Sequence, residues 1–164
     1  MKEVSNVGVV LKLVEIDDAE YIYKLRQNSK LNRYLSKTSI NIEDQRKWIE
    51  NYKKRENERK EFYFIVYNNI NNKKCGTVRI YNIDFEKKEC EWGSFILETT
   101  RPEGAAYKVI DLSLSFIFQK LELKKIKLEV RKENLKAKYI YQKKNFKLYK
   151  EDELNEYYQL IRKD

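Results

Sequence analysis

The chain has 164 residues, of which 41% are hydrophobic and 37% charged, with one proline and four glycines. This composition fits a single globular domain over residues 1–164 with a proper core and no obvious linker. Histidine is absent and there are two cysteines, which excludes a standard zinc site and the histidine-dependent catalytic triads. No metal is therefore expected, and the formal net charge of +9 favours polyanionic ligands.

The sequence shows no sign of a membrane segment or an export signal. No stretch reaches the roughly 18 apolar residues that a transmembrane helix needs. Residues 7–13 are apolar but too few for the core of a signal peptide, and charged residues follow them. We therefore expect a cytoplasmic protein with no membrane partner.

The first half of the chain predicts a strand, two helices and a meander. Residues 9–15 alternate apolar and polar side chains, as a half-buried strand does. Asp17 and Glu20 have the spacing of a capping box for a first helix, and Asn41 can cap a second helix whose apolar face carries Trp48. Three strands follow in series over residues 62–67, 75–81 and 90–97.

The second half of the chain predicts two further helices and three strands. An apolar helix follows the loop 98–104, and Asn134 opens another helix that ends near Asn145. The remaining strands cover residues 125–131, 146–149 and 157–162. The order β-α-α-β-β-β-α-β-α-β-β indicates an α+β fold. We expect a central mixed sheet of about seven strands, mostly antiparallel and flanked by four helices, because the crossover through the long helix should return parallel.

A buried strand leads through a short loop into the long helix. The junction reads Arg101-Pro102-Glu103-Gly104-Ala105-Ala106. A helix N-terminus has unpaired amides and a partial positive charge, so this junction suits an anionic group such as phosphate. The pattern Arg101-x-x-Gly104-x-Ala106 resembles the acyl-CoA pyrophosphate loop of the GNAT acetyltransferase superfamily, Q/R-x-x-G-x-G/A. It also falls at the place in the element order where that family carries the loop.

A second stretch extends the resemblance. It reads Asn134-x-x-Ala137-x-x-x-Tyr141-x-Lys143-x-Asn145-Phe146. This is similar to the family's N-x-x-A/S-x-x-x-Y-x-K-x-G-F signature, with asparagine where the glycine is usual. The resemblance implies the GNAT fold, N-acetyltransferase activity and acetyl-CoA as co-substrate.

The resemblance also implies roles for individual residues. Tyr141 is the candidate general acid that protonates the departing CoA thiolate, and Glu91 is the candidate general base for the acceptor amine. The implied cofactor-binding residues are Phe95, Ile96, Leu97, Arg101, Pro102, Glu103, Gly104, Ala105, Ala106, Asn134 and Tyr141. Ordinary structural interpretations stand beside these roles: a core tyrosine, an N-cap asparagine and a strand glutamate in an ion pair. Glu129 and Asp84 are weaker candidates for the base.

The acceptor side of the site is also implied by resemblance. Leu25-Arg26-Gln27-Asn28 and Ile42-x-x-Gln45-x-x-Trp48 resemble the RimJ/RimL-like branch of the family and the PseH-type acetyltransferases of sugar-nucleotide biosynthesis. The implied substrate-binding residues are Arg26, Tyr34, Trp48, Arg79, Tyr81 and Trp92. The leading hypothesis is transfer of an acetyl group to the amine of a nucleotide-linked aminosugar, a small-molecule acceptor.

Other functions fit parts of the sequence. The acceptor could be a protein N-terminus or another small amine, or the domain could bind CoA without catalysis. A nucleic-acid-binding module would use the basic surface, but the charges are dispersed and no nucleic-acid motif is present, so no nucleic-acid partner is expected. Apolar strand edges near the C-terminus are compatible with a homodimer.

Overall fold

The computed structural model describes residues 3–28 and 41–163. The helices are α1 (Ala19–Gln27), α2 (Ile42–Asn57), α3 (Ala105–Ser115) and α4 (Leu135–Lys143). The strands are β1 (Glu3–Ser5), β2 (Val9–Leu13), β3 (Phe62–Asn68), β4 (Lys73–Asp84), β5 (Glu89–Leu97), β6 (Lys125–Arg131), β7 (Lys147–Glu151) and β8 (Asn155–Ile161). No helix in these described stretches is long and apolar enough to cross a bilayer.

The strands form one mixed sheet in the order β1-β2-β3-β4-β5-β6-β8-β7. Every neighbouring pair is antiparallel except β5 and β6, which are joined through α3 and run parallel. The predicted α+β fold with a mixed sheet is therefore confirmed. The sheet has eight strands rather than about seven, because the short strand β1 pairs with β2. Three residues are too few to show a periodic pattern in the sequence.

The two faces of the sheet have separate cores, as β3 shows by its alternation. Phe62 and Phe64 point into a large core that contains Val109 of α3 and Tyr141 of α4. The intervening Tyr63 and Ile65 point into a smaller core with side chains of α1 and α2. Helices α3 and α4 thus cover one face of the sheet, and α1 and α2 cover the other.

The helix boundaries follow from their caps. Asn41 accepts a hydrogen bond from the Asp44 amide (2.8 Å) and begins α2 as predicted. The first capping box is not the predicted pair of Asp17 and Glu20. Instead, Glu15 and Asp18 form the box, which opens a short 3₁₀ turn before α1. At the other end of the chain, Asn145 adopts a φ of 71° after α4, a left-handed conformation that asparagine tolerates.

Candidate active site

The sheet opens between β5 and β6. The two strands pair in parallel from Glu89 to Glu91 on β5 and from Lys125 to Lys127 on β6, and then diverge. Beyond Glu91, β5 continues to Leu97 with no strand partner on this edge among the described residues. Backbone amides and carbonyls on an open edge need partners. An extended ligand that carries amides can therefore pair with β5 as a further strand would.

A bulge in β5 marks the opening. Ile96 pairs with Thr77 of β4 and Gly93 pairs with Arg79, so β5 has one more residue than β4 in this interval. Ser94, within the bulge, has a φ of 48°. A Cβ atom on Gly93 would lie 3.3 Å from the Tyr81 hydroxyl. The glycine therefore allows the Tyr81 side chain to lie close against β5.

The diverging strands flank the β5–β6 cleft, which is open to solvent and has a cavity volume of about 100 Å³. Its lining residues are Trp92, Gly93, Ser94, Phe95, Leu128, Glu129, Val130, Arg131, Asn134 and Tyr141. Tyr141 is 8% exposed, and its ring packs edge-on against Trp92 with centroids 5.6 Å apart. Burial raises the pKa of Tyr141 well above its ordinary value. The phenol therefore keeps its proton at neutral pH and can donate it inside the cleft.

Two buried N–H groups belong to residues that line the cleft. Trp92 Nε1 and Arg131 Nε are both buried, and neither has a hydrogen-bond partner in the described part of the chain. A buried donor without a partner costs about 1–3 kcal/mol. Sequence reasoning missed Arg131, whose position at the end of β6 gave no distinguishing pattern.

The loop between β5 and α3 presents a helix N-terminus. Gly104 caps α3 with a φ of 72°, a conformation that favours glycine. The Ala105 amide donates to the Pro102 carbonyl (3.2 Å) and the Lys108 amide donates to the Gly104 carbonyl (3.1 Å). The other backbone amides in the first turn of a helix have no acceptor within the helix. This end of α3 can therefore donate hydrogen bonds to phosphate oxygens.

Hydrogen bonds hold this loop in place. The Arg101 guanidinium donates to the Glu98 carbonyl (3.2 Å), and the Glu98 amide donates to the Cys75 carbonyl of β4 (2.8 Å). The hydroxyl of Tyr21, on α1, donates to the Glu98 carboxylate (2.5 Å). The loop is thereby tied to a helix on the opposite side of the sheet. Neither Tyr21 nor Glu98 was identified from the sequence, because no local pattern connects two residues so far apart.

Asn134 stands at the start of α4 and at the rim of the cleft. Its side-chain oxygen accepts a hydrogen bond from the Ala137 amide (3.3 Å), so it is an N-cap. It also lines the cleft. Its amide NH₂ group can therefore donate to a ligand while the oxygen caps the helix.

Glu91 lies on the face covered by α1 and α2, at the apex of the opening. It is the last residue of β5 to pair with β6 and lies opposite Tyr81 of β4. Its half-buried carboxylate accepts a short hydrogen bond from the Asn82 side chain. Burial raises the pKa of Tyr81, and the neighbouring Glu91 and Glu129 carboxylates raise it further. Both carboxylates therefore lie near Tyr81, and Glu129 also lines the cleft.

A group of cationic and aromatic side chains lies beside Glu91. The Arg79 guanidinium is 4.4 Å from the Tyr81 ring centroid and 5.3 Å from that of Trp48. Its Nε atom donates to the Glu61 carboxylate (2.7 Å). We call Trp48, Arg79, Tyr81 and Glu91 the charged face.

The other predicted substrate-binding residues lie in different places. Arg26 of α1 lies close to Tyr63, whose ring packs edge-on against Trp48 of the charged face, and burial raises the pKa of Tyr63 against the opposing effect of the Arg26 and Arg79 guanidinium groups. Trp92 lies on the opposite face of β5, packed against Tyr141 and Phe95. Tyr34 lies outside the described residues.

The predicted cofactor-binding residues of β5 lie in different environments. Phe95 lines the β5–β6 cleft, Ile96 is buried and Leu97 is half-buried at the end of the strand. Glu103 is exposed.

The two cysteine thiols are free and buried. Burial, with a smaller contribution from Glu98, raises the pKa of Cys75 to about 11. Burial, with smaller contributions from Glu91 and Glu89, raises the pKa of Cys90 to about 12. Thiols in this state are poor nucleophiles at neutral pH. The arrangement therefore favours direct transfer over an acyl-cysteine intermediate.

Diverging parallel strands, a loop that leads into a helix N-terminus and a buried tyrosine together suit acyl transfer from a CoA thioester. Residues 9–147 match the family model described as "Acetyltransferase (GNAT) domain". The chain therefore belongs to the GNAT acetyltransferase family, and acetyl-CoA is its acetyl donor. The predicted family, fold and enzyme class are confirmed.

The chain is similar to several named acetyltransferases. Among solved structures, it is 37% identical to apo FdhC, a nucleotide-linked sugar GNAT, with a TM-score of 0.87 over 98% of this chain and 89% of that one. It is 25% identical to acetyltransferase PseH of Campylobacter jejuni subsp. jejuni serotype O:23/36 (strain 81-176), over 82% of this chain and 80% of the relative. It is 28% identical to spermidine N(1)-acetyltransferase of Escherichia coli (strain K12), over 85% of this chain and 73% of the relative.

Proposed function

We propose that this chain transfers the acetyl group of acetyl-CoA to the amine of a nucleotide-linked aminosugar. The observation that carries the proposal is the bipolar charged face. Arg79 lies at one end, against Tyr81, and Glu91 lies opposite Tyr81 on the neighbouring strand. Such a face suits an acceptor that has an ammonium group at one end and an anionic group at the other.

The similarity to known proteins supports the same acceptor. FdhC, the nucleotide-linked sugar GNAT, matches 98% of this chain at 37% identity. PseH matches at lower identity. Two aromatic rings on the charged face, Trp48 and Tyr81, offer surfaces on which a nucleotide base or a sugar can pack.

In the proposed reaction, each residue of the site has one task. The β5 edge, the α3 N-terminus and Asn134 hold the donor so that its thioester lies in the β5–β6 cleft. Glu91 takes a proton from the acceptor ammonium, directly or through a water, and the free amine attacks the thioester carbonyl. The C–N bond forms and the C–S bond breaks, and Tyr141 gives its proton to the leaving thiolate. The second proton that the acceptor nitrogen loses then restores the Tyr141 phenol.

A polyamine is the second candidate acceptor, because the chain is 28% identical to the E. coli spermidine acetyltransferase. The Glu91 and Glu129 carboxylates near Tyr81 suit a cationic amine. The guanidinium of Arg79 disfavours a polyamine, because the second ammonium group of the polyamine would lie near a like charge. The charged face therefore favours the aminosugar. A protein N-terminus stays an alternative outcome of the test below.

Thiol release from acetyl-CoA tests the acceptor directly. Purified protein is given UDP- and dTDP-linked aminosugars, spermidine, and peptides with free N-termini, each over a range of concentrations. We expect the largest kcat/KM with a nucleotide-linked aminosugar. A larger value with spermidine or with a peptide would overturn the proposal.

The expected homodimer and the cytoplasmic location stay predictions. The outer strand β7 exposes Leu148 and Tyr149 at 49% and 42%. Its outer edge pairs with no other strand among the described residues, so a second copy could pair there. Light scattering of the purified protein measures the oligomeric state, and a monomer at every concentration would contradict the expectation.

A further inference from the structure

We propose that Arg55 and Arg79, joined through the buried carboxylate of Glu61, form a binding site for the diphosphate of the acceptor. The inference rests on the proposed function and deepens it, since it assigns the part of the acceptor that the cationic end of the charged face holds. Neither Arg55 nor Glu61 was identified as a candidate site residue from the sequence.

Glu61 orients both guanidinium groups. Its side chain is 5% exposed, and its two oxygens accept one hydrogen bond from each arginine: Arg55 Nε at 2.9 Å and Arg79 Nε at 2.7 Å. A guanidinium has further donors on its two Nη atoms. Those of Arg55 and Arg79 have no hydrogen-bond acceptor within residues 3–28 and 41–163. Both arginines therefore retain the donors that bind a phosphate in a bidentate manner.

The charges of the group do not balance. Two guanidinium cations share one carboxylate, and the arginine side chains are 35% and 23% exposed. Partly buried charges are screened less by salt than exposed ones. Positive charge is therefore in excess at the end of the charged face near Glu61, whereas the Glu91 and Glu129 carboxylates lie near Tyr81, so an anion is attracted to the arginine end.

Aromatic rings lie against both guanidinium groups. Arg55 lies 5.1 Å and Arg79 lies 5.3 Å from the centroid of Trp48. Arg79 also lies 4.4 Å from the centroid of Tyr81. Guanidinium groups held by aromatic rings and by the Glu61 carboxylate lose less freedom when they bind a ligand, which favours a preorganised site over a flexible pair of surface cations.

The position of the group fits the length of the acceptor. Arg79 pairs with Gly93 at the bulge, whereas Tyr81 pairs with Glu91 at the apex of the cleft. Two residues along a strand span about 7 Å, which is comparable with the length of one sugar ring. An aminosugar whose amine meets Glu91 can therefore extend across Tyr81 and place its diphosphate at Arg79 and Arg55.

Calorimetric titration with free UDP and free dTDP tests the site without any acceptor turnover. We expect Arg79→Met and Arg55→Met each to weaken nucleoside-diphosphate binding by about tenfold to a hundredfold, the range for a hydrogen bond to a charged group. The Kd for acetyl-CoA should not change. Arg46→Met is the matched control, because Arg46 is an exposed cation of α2 that pairs with Glu43.

Two further variants separate binding from folding. Arg79→Lys keeps the charge but loses the planar fork, and we expect it to bind UDP as weakly as Arg79→Met. Glu61→Gln keeps the size of the side chain and is expected to lower UDP affinity by misaligning both arginines. The melting temperature and the acetyl-CoA Kd of each variant show whether it is folded.

The outcomes distinguish this site from the proposed function. If nucleotide-linked aminosugars are acetylated but the folded Arg55 and Arg79 variants keep the wild-type KM and UDP affinity, the diphosphate site is wrong and the proposed function stands. If these variants lose UDP binding but no aminosugar is acetylated, the diphosphate site stands and the proposed acceptor is wrong. Absence of nucleoside-diphosphate binding to the wild type overturns the site.

Discussion

The β5–β6 cleft and the charged face lie next to each other but use different kinds of chemical groups. The cleft offers a backbone edge and buried aromatic rings, and the loop after β5 leads from it to the N-terminal end of α3. The charged face offers side chains, with Arg79 at one end, hydrogen-bonded to Glu61, and Glu91 at the other. The contrast suggests how a family can keep one donor and change acceptors, because backbone groups are set by the fold whereas side chains change by single substitutions.

The largest expected effect lies in the cleft. Tyr141→Phe removes the phenol but keeps the ring that packs against Trp92. We expect kcat to fall by about a hundredfold to ten-thousandfold, the range for a lost general acid. The Kd for acetyl-CoA should stay within about twofold, because the ring still fills its place. Steady-state thiol release and calorimetry measure the two quantities.

Tyr139→Phe is the control for this variant, since Tyr139 lies on the same helix but is 57% exposed. It should retain the wild-type rate. An equal loss of kcat in both variants, or a wild-type rate for Tyr141→Phe, would contradict the acid role.

The pH dependence of kcat also tests the role of Tyr141 as the general acid. An ordinary tyrosine loses its proton near pH 10, whereas burial raises the pKa of Tyr141 above that value. The proton that Tyr141 donates is therefore still present at pH 9 to 10, and we expect kcat to show no alkaline decline up to about pH 10. If kcat declined below pH 10 in the wild type but not in Tyr141→Phe, the pKa of Tyr141 would be lower than expected and the expectation would be contradicted.

The next effect lies at the boundary between the two regions. Glu91→Gln removes the proposed base and keeps the size of the side chain beside Asn82. We expect kcat to fall by about a hundredfold at neutral pH, with partial recovery at higher pH, where more of the acceptor amine is already unprotonated. The pH dependence of kcat in both proteins tests this.

Glu129→Gln serves as the comparison for the base, because Glu129 is also near Tyr81 but is exposed. We expect it to change kcat by less than about threefold. If Glu129→Gln reduced the rate more than Glu91→Gln, the base would have to be reassigned to Glu129.

The sequence identified residues of both regions, but not the buried carboxylate and second arginine beside the charged face. Periodic strands, the loop from Arg101 to Ala106 and the stretch from Asn134 to Phe146 are local patterns, and the structure places the loop at the start of α3 and places Asn134 and Tyr141 in the lining of the cleft. Glu91 was identified in the same local way. These residues are close in sequence to the elements that hold them, so their arrangement follows from the order of strands and helices.

The proposed diphosphate site depends on contacts that no local pattern encodes. Arg55 and Glu61 belong to different elements from Arg79, and their shared hydrogen bonds appear only when α2 packs on the sheet. Trp92 was grouped with the substrate residues, yet the alternation of β5 places it with Tyr141 on the other face. The alternation of β5 can be predicted from the sequence. Which helices cover each face of the sheet cannot.

A smaller effect is expected at the hydrogen bond between Tyr21 of α1 and Glu98 in the loop that precedes α3. Tyr21→Phe removes the hydrogen bond from α1 to the Glu98 carboxylate of the cofactor loop. We expect the KM for acetyl-CoA to rise by about threefold to tenfold, since the loop is less fixed, with little change in kcat. Tyr23→Phe, on the same helix, is the control, and an equal rise in that variant would show a general effect on α1.

The smallest expected effect is the absence of thiol reactivity, which separates direct transfer from an acyl-cysteine route. The pKa values of Cys75 and Cys90 are raised to about 11 and about 12 by burial. At pH 8 the thiolate fraction of either is then about a thousandth or less, and both side chains are nearly inaccessible. Iodoacetamide should therefore leave the rate of the folded enzyme unchanged, with mass spectrometry confirming two unmodified thiols until denaturant is added. Rapid inactivation that acetyl-CoA prevents would place a reactive cysteine in the cleft and overturn direct transfer, because only a thiolate that contacts the donor could be protected in that way.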